Sequence, residues 1–261
     1  MPPETSIEPS VEPILELRQV HKSFGAQAVL RGLDLTVERG RVNVIIGRSG
    51  GGKSVILKHM IGLLQPDRGR ILVDGVDLAG LGERGLNDIR KRFGMLFQEA
   101  ALFDSMSVFD NVAFPLREHT RLAAEKIRQV VAEKLALVGL PGAEGKMPSQ
   151  LSGGMKKRVG LARAIALEPE IILYDEPTTG LDPLMTEAIN RLIADTGRRL
   201  GATSVIISHD LKGAFGIGEK ISMLYDGVII ASGGPADIQA SPDPVVQQFI
   251  QGRVDGPIEV I

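Results

Sequence analysis

Hydrophobic positions divide the chain into stretches of two periods. Between residues 15 and 46 short alternating patterns recur, as in Leu33, Leu35 and Val37, and they break at 39-RG-40. A period of two predicts an antiparallel strand group ending in a buried strand at Val42 to Ile46, after which a glycine run leads into a helix. The segment 70-RILVDGVDL-78 has strand-like runs on either side of Asp74-Gly75, a two-residue hairpin signal. From about Phe103 to Glu168 the period lengthens. Leu122, Ile127, Val130, Val131, Leu135 and Val138 fall at helical spacing, and a second helix fits 154–167, while 100–116 reads as loop-like. The strand signal returns at 171-IILY-174 and 203-TSVIIS-208, near-continuous apolar runs of the kind found in strands covered on both faces. A helix fits 184–200 between them, and a last hairpin fits 220–234, turned at Asp226-Gly227. The expected fold is α/β, with a parallel core sheet, an antiparallel β subdomain and an inserted helical subdomain at about 100–168.

Composition narrows the partners. With 261 residues and 43% hydrophobic content the chain is long enough to bury a full core. Its net charge of −2 gives no polyanion-binding footprint, so nucleic acid is disfavoured as a partner. The absence of cysteine excludes disulfides and thiolate metal sites. The start, 1-MPPETSIEPSVEP-13, lacks a basic end and an apolar core and reads as a disordered tail, not a signal peptide. No window approaches about 18 consecutive apolar residues, so a membrane role has to come through a partner.

The candidate chemistry starts at 47-GRSGGGKS-54, between the apolar run 42-VNVII-46 and the helix that follows. Gly47, Gly50, Gly51 and Gly52, with Arg48 and Ser49 between them, let main-chain N–H groups turn inward. The helix beginning near Lys53 aims its positive end at the same point, which makes an anion cradle. Lys53 adds a charge for β- and γ-phosphate oxygens, and Ser54 a hydroxyl for Mg²⁺. Asp175, at the C-terminal end of the 171–174 strand, is the metal carboxylate candidate. Glu176 beside it is placed to polarise an attacking water. In 151-LSGGM-155, Ser152, Gly153 and Gly154 precede a basic helix and make a second small-residue helix start suited to phosphate; an ordinary serine N-cap is the alternative.

Taken together, these motifs resemble the nucleotide-binding subunits of ABC transporters over about residues 15–250. Residues 47–54 look like the Walker A loop, 171-IILYDE-176 like Walker B, and 151-LSGGM-155 like the signature motif. Gln98 falls where the Q-loop glutamine sits, 180-GLD-182 resembles the D-loop, and His209 resembles the switch histidine. Phe24 is similar to the aromatic residue that stacks on adenine, where tyrosine is commoner. The resemblance implies a P-loop NTPase of ABC type over 14–250, flanked by tails at 1–13 and 251–261. It implies hydrolysis of ATP with Mg²⁺, with Glu176, His209, Gln98 and Lys53 in catalysis and Ser54, Gln98 and Asp175 at the metal.

The resemblance also implies a homodimer that sandwiches two ATP molecules and drives a multi-span permease. Met155 stands where the signature commonly has glutamine. With 108-VFDNVAFPLREHT-120 and the 242-PDPVVQQFIQGRVDGPI-258 tail, it looks like the ATPases of Mla-type lipid transporters. Those work at the cytoplasmic face of the inner membrane with an Mce-domain lipid-binding protein, and a small regulatory subunit is a further candidate partner. An importer of amino acids or other small solutes, and a soluble remodelling protein, are the alternatives. Leu102, Phe103, Met106, Val108, Phe109 and Phe114 are the candidate permease-docking residues.

Overall fold

A long hairpin comes first, β1 (Pro13–Phe24) and β2 (Gln27–Glu38), in a computed structural model that describes residues 12–259. It is followed by β3 (Val42–Gly47), α1 (Lys53–Met60), β4 (Arg68–Val73) and β5 (Val76–Asp77). Next come α2 (Glu83–Arg90) and β6 (Phe93–Leu96). Three helices, α3 (Val108–His119), α4 (Ala124–Leu137) and α5 (Gly153–Ala164), separate β6 from β7 (Ile171–Asp175). The chain then runs through α6 (Pro183–Leu200), β8 (Thr203–Ser208), α7 (Leu211–Ile217), β9 (Lys220–Tyr225) and β10 (Val228–Gly233). Two short helices close it, α8 (Pro235–Gln239) and α9 (Pro244–Gln251).

The strands form two sheets. The smaller has the order β2-β1-β4-β5 and is antiparallel; the larger has the order β10-β9-β3-β8-β7-β6. In the larger sheet β6, β7, β8, β3 and β9 run parallel, and only β10 turns back, beside β9. Strand β3 therefore belongs to the parallel sheet and does not end the antiparallel group expected from 15–46. Its apolar run is continuous because both faces are covered. Val42, Val44 and Ile46 face one core and Ile45 the other. In β7 Ile172 and Tyr174 face the first core and Ile171 and Leu173 the second. Strands of period two, buried on both sides, cannot be told from a buried helix by alternation alone.

Three other expectations shift. Residues 108–116 are helix α3 and not loop, and the helix expected over 154–167 ends at Ala164. Ser107 caps α3 by accepting from the Asp110 amide, which starts the helix despite Pro115 within it. The disordered tail expected over 1–13 falls on residues 1–11, outside those described, except that Pro13 already pairs with Glu38 in β1. At the other end, 252–258 packs back on α9. Gln248 is 4% exposed, donates to the carbonyls of Val254 and Ile258, and accepts from the Ile258 amide.

Candidate active site

The loop after β3 is shaped by contacts that only glycine allows. A Cβ on Gly47 would lie 2.4 Å from the Leu224 carbonyl oxygen of β9, and one on Gly52, at φ +98°, would lie 2.8 Å from Val29 Cγ1. Gly52 is also the N-cap of α1 and offers no side chain, so the first amides of that helix carry no side-chain cap. Lys53 is 5% exposed and folds back over the loop, donating to the carbonyls of Gly47 at 2.8 Å and Arg48 at 2.9 Å. Burial pushes its ammonium below the ordinary value, against the pull of Glu176 and Asp175.

Two carboxylates reach this loop from the end of β7. Asp175 Oδ1 accepts from Ser54 Oγ at 2.9 Å, so the hydroxyl and the carboxylate expected at a metal are side by side. Glu176 has φ +48°, a left-handed conformation uncommon for a residue with a side chain, and its amide donates to Ile207 of β8. That turn sends its carboxylate back toward the loop, 3.7 Å from Lys53 Nζ. His209, just after β8, meets Glu176 Oε2 through Nδ1 at 2.5 Å, and Thr179 Oγ1 donates to the same oxygen at 3.3 Å.

These groups line one cleft of about 520 Å³. Phe24, Ser49, Gly50, Gly52, Lys53, Ser54, Gln98, Glu176 and His209 all border it. Phe24, at the end of β1, is 47% exposed, with Lys22 Nζ 5.7 Å from its ring centre. Asp67 fixes that strand end, accepting from Lys22 Nζ and the Ser23 amide. Gln98 is exposed on the loop after β6. Gly47, Arg48 and Gly51 shape the loop without lining the cleft, and Asp175 touches it through Ser54.

Ser152, Gly153 and Gly154 lie outside this cleft. Ser152 caps α5 by accepting from the Met155 amide, the ordinary role weighed against phosphate binding, and the three residues do not join Lys53 within one chain. Residue-by-residue reading missed Thr179, Gln27, Val29 and Val55 in the lining. Thr179 was within reach as a polar neighbour three residues from Glu176, and Val55 directly follows Ser54; Gln27 and Val29 have no local signal because the fold, not the sequence, carries them there.

The donor set fits Mg²⁺ with a nucleotide. A hydroxyl and one carboxylate are hard oxygen ligands, and Mg²⁺ characteristically takes few protein ligands and completes its shell with phosphate oxygens and water. Helix amides without a side-chain cap and Lys53 would supply a positive field suited to such phosphates.

A second cleft, of about 560 Å³, lies under α3. It is bordered by Phe93, Met95, Phe97, Phe114, Pro115 and Leu167, with Arg90, Lys91, His119 and Arg163 among the polar residues. Phe114 packs against Phe103 with ring centres 5.0 Å apart and planes tilted by 52°. Of the expected docking residues Phe114 borders this cleft, Phe103 is exposed beside it, Met106 is half-buried, Leu102 and Phe109 are half-buried against the core, and Val108 is wholly buried.

Comparison with known proteins agrees with this geometry. The family model described as ABC transporter matches residues 30–179. A "Probable ribonucleotide transport ATP-binding protein mkl" of Mycobacterium tuberculosis is 47% identical, over 94% of this chain and 68% of its own length. The "Intermembrane phospholipid transport system ATP-binding protein MlaF" of Escherichia coli K12 is 44% identical, over 97% of this chain and 94% of its own length. Among solved structures, a dimeric ATP-binding cassette in a post-hydrolysis state, bound to ADP and Pi, superposes with a TM-score of 0.77 at 32% identity, covering 85% of this chain and 98% of that one. Since the family model covers more than half of the chain and relatives above 40% identity align over nearly all of it, the chain belongs to the ABC transporter family and is an ATP-hydrolysing cassette.

Proposed function

We propose that this ATPase drives a transporter that moves phospholipids between membranes, working as a pair of identical subunits on a multi-span permease. The observation that carries the substrate is the end-to-end likeness to the MlaF protein, which leaves under a tenth of either chain unmatched. The mkl proteins, with a different cargo in their name, are matched over a smaller share of their length. The small-solute importer is therefore not favoured.

In this reading residues 14–250 act as one ATPase domain with 100–168 as its helical subdomain. Lys53 and the α1 amides bind the β- and γ-phosphates, Phe24 stacks on the adenine, and Ser54, Asp175 and Gln98 hold Mg²⁺. The metal's chemistry when bound is to neutralise charge on the phosphate oxygens. Glu176 accepts the proton of the attacking water, and His209 holds the carboxylate in place. Glu176 lies 3.7 Å from Lys53, so the carboxylate stands beside the group that binds the phosphates. Ser152 to Gly154, outside their own chain's cleft, serve the nucleotide of the partner subunit.

The cleft under α3 is the docking surface for the permease. No described helix is long and apolar enough to cross a membrane, so attachment at the cytoplasmic face of the inner membrane goes through that permease. An Mce-domain lipid-binding subunit and a small regulatory subunit belong to the proposed assembly. The test is to purify the chain with its membrane partners, identify the bound lipid, and measure ATP-dependent phospholipid transfer between vesicles. Transfer is expected; an assembly that carries no phospholipid and instead takes up an amino acid or nucleotide overturns the reading.

A further inference from the structure

Two basic side chains outside the nucleotide cleft project from one helix and grip one loop. Lys157, in the second turn of α5, is 6% exposed and donates to the main-chain oxygen of Gln98. Arg163, in the last turn of the same helix, donates to the carbonyls of Ala100 and Ala101, both at 2.7 Å. Those two alanines have φ of +60° and +46°, so the chain doubles back there in a conformation that alanine rarely adopts unless it is held.

The two grips differ in consequence. Arg163 fixes the far side of the loop, which Asn111 of α3 also anchors by accepting from the Phe103 amide. The near side carries Gln98, and there Lys157 supplies the tie from α5. Burial pushes its ammonium below the ordinary value, with Glu99, Asp175 and Glu176 pulling the other way. An apolar side chain of similar length would avoid the cost of burying a charge. What the lysine adds is thus the bond to the loop.

That bond links two parts of the reaction machinery. At one end is Gln98, on the border of the nucleotide cleft. At the other is the start of α5, with Ser152 as its cap and Gly153 and Gly154 in its first turn. Because a helix is stiff over its length, a displacement applied at Lys157 is delivered to residues 152–154.

We propose that Lys157 is a positioning residue that makes the Gln98 loop and the Ser152–Gly154 end of α5 move as one body, so that nucleotide binding in one subunit sets the surface it offers to its partner. The inference rests on the reading of Gln98 and of Ser152–Gly154 given above. Without the tie, Gln98 still meets nucleotide, but α5 holds the loop only at Ala100 and Ala101 through Arg163, and the helix end is carried less fully into place.

The test uses the full chain in a Glu176→Gln background, where dimer formation is read without hydrolysis. Lys157→Met, Lys157→Arg and Gln98→Ala are compared with that parent. Nucleotide affinity comes from direct titration, stability from melting temperature, and dimerisation from size-exclusion with ATP and Mg²⁺. Lys157→Met is expected to bind ATP as the parent does and to melt no lower. Its dimerisation should weaken by roughly tenfold, the equivalent of one charge-assisted hydrogen bond. Lys157→Arg, which keeps a donor facing the loop, should recover most of that loss.

Parent-like dimerisation by Lys157→Met, with Gln98→Ala deficient, refutes the tie alone. Parent-like dimerisation by Gln98→Ala removes the role read for Gln98 and the proposal with it. Equal loss in the Met and Arg variants with a lowered melting temperature assigns Lys157 to packing and also overturns the proposal.

Discussion

Glu176 is tied down on three sides, by its amide to Ile207, by His209 and Thr179 at its carboxylate, and by Lys53 at 3.7 Å. An amide at this position fits the same space but cannot accept a proton from water. Glu176→Gln should therefore keep ATP affinity while turnover falls by roughly a hundredfold or more, as measured by titration and steady-state hydrolysis. Hydrolysis within a few-fold of the parent would remove Glu176 from catalysis. Lys53→Ala should instead weaken ATP binding by about one to two orders of magnitude, the loss of a charged hydrogen bond to phosphate. Asp67 gives a subtler case. Its carboxyl is held below its ordinary value by Lys22, then by the Ser23 amide. Because the shift is downward, its hold on the Phe24 strand end is complete at neutral pH and is lost only as pH falls through that depressed value. Asp67→Ala should raise KM for ATP several-fold with kcat unchanged, and an equal fall in both would contradict a purely positional role.

At the scale of elements, α3 and the loop before it behave as one unit. Asn111 is wholly buried in α3, and its side chain accepts from the Phe103 amide while donating to the carbonyls of Phe103, Met106 and Ser107. Replacing it with Ala strands several polar groups at once, and a loss of about 2 kcal/mol or more is expected in denaturant titration. Phe114, in the cleft under α3, is a different kind of residue. Phe114→Ala should lower transport by the assembled complex more than it lowers ATP binding by the isolated subunit. Equal losses would make Phe114 a core residue. Helix α3 was legible in part: Val108, Val112 and Leu116 recur every four residues behind Ser107 and Asp110. Pro115 works against a helix there, since an internal proline removes a helix hydrogen bond. Here capping and burial of that apolar face outweigh it.

For the molecule as a whole, the cleft and the α5 start are separate in one chain, so the proposed shared site needs a second copy. The native chain has no cysteine, so cysteines placed at Ser49 and Ser152 report without background. Under ATP they should join two chains, as seen by mass on a denaturing gel. Links confined to single chains would refute the shared site.

The sequence by itself determined the phosphate loop, the strand that feeds it and the carboxylates at the end of β7. These are local matters: glycine spacing, an apolar run and the residues next to it are contiguous in the chain. It also determined the hairpins at Asp74-Gly75 and Asp226-Gly227, because two-residue turns are specified by the residues within them. Only the tertiary structure decided that β3 leaves the antiparallel group to sit between β8 and β9, since pairing partners distant in sequence leave no periodic trace. It alone brought Gln27 and Val29 beside the loop, turned Glu176 back toward Lys53, and joined Lys157 to Gln98 across 59 positions. Such contacts depend on how layers pack, and packing is settled by the burial of all the apolar faces together.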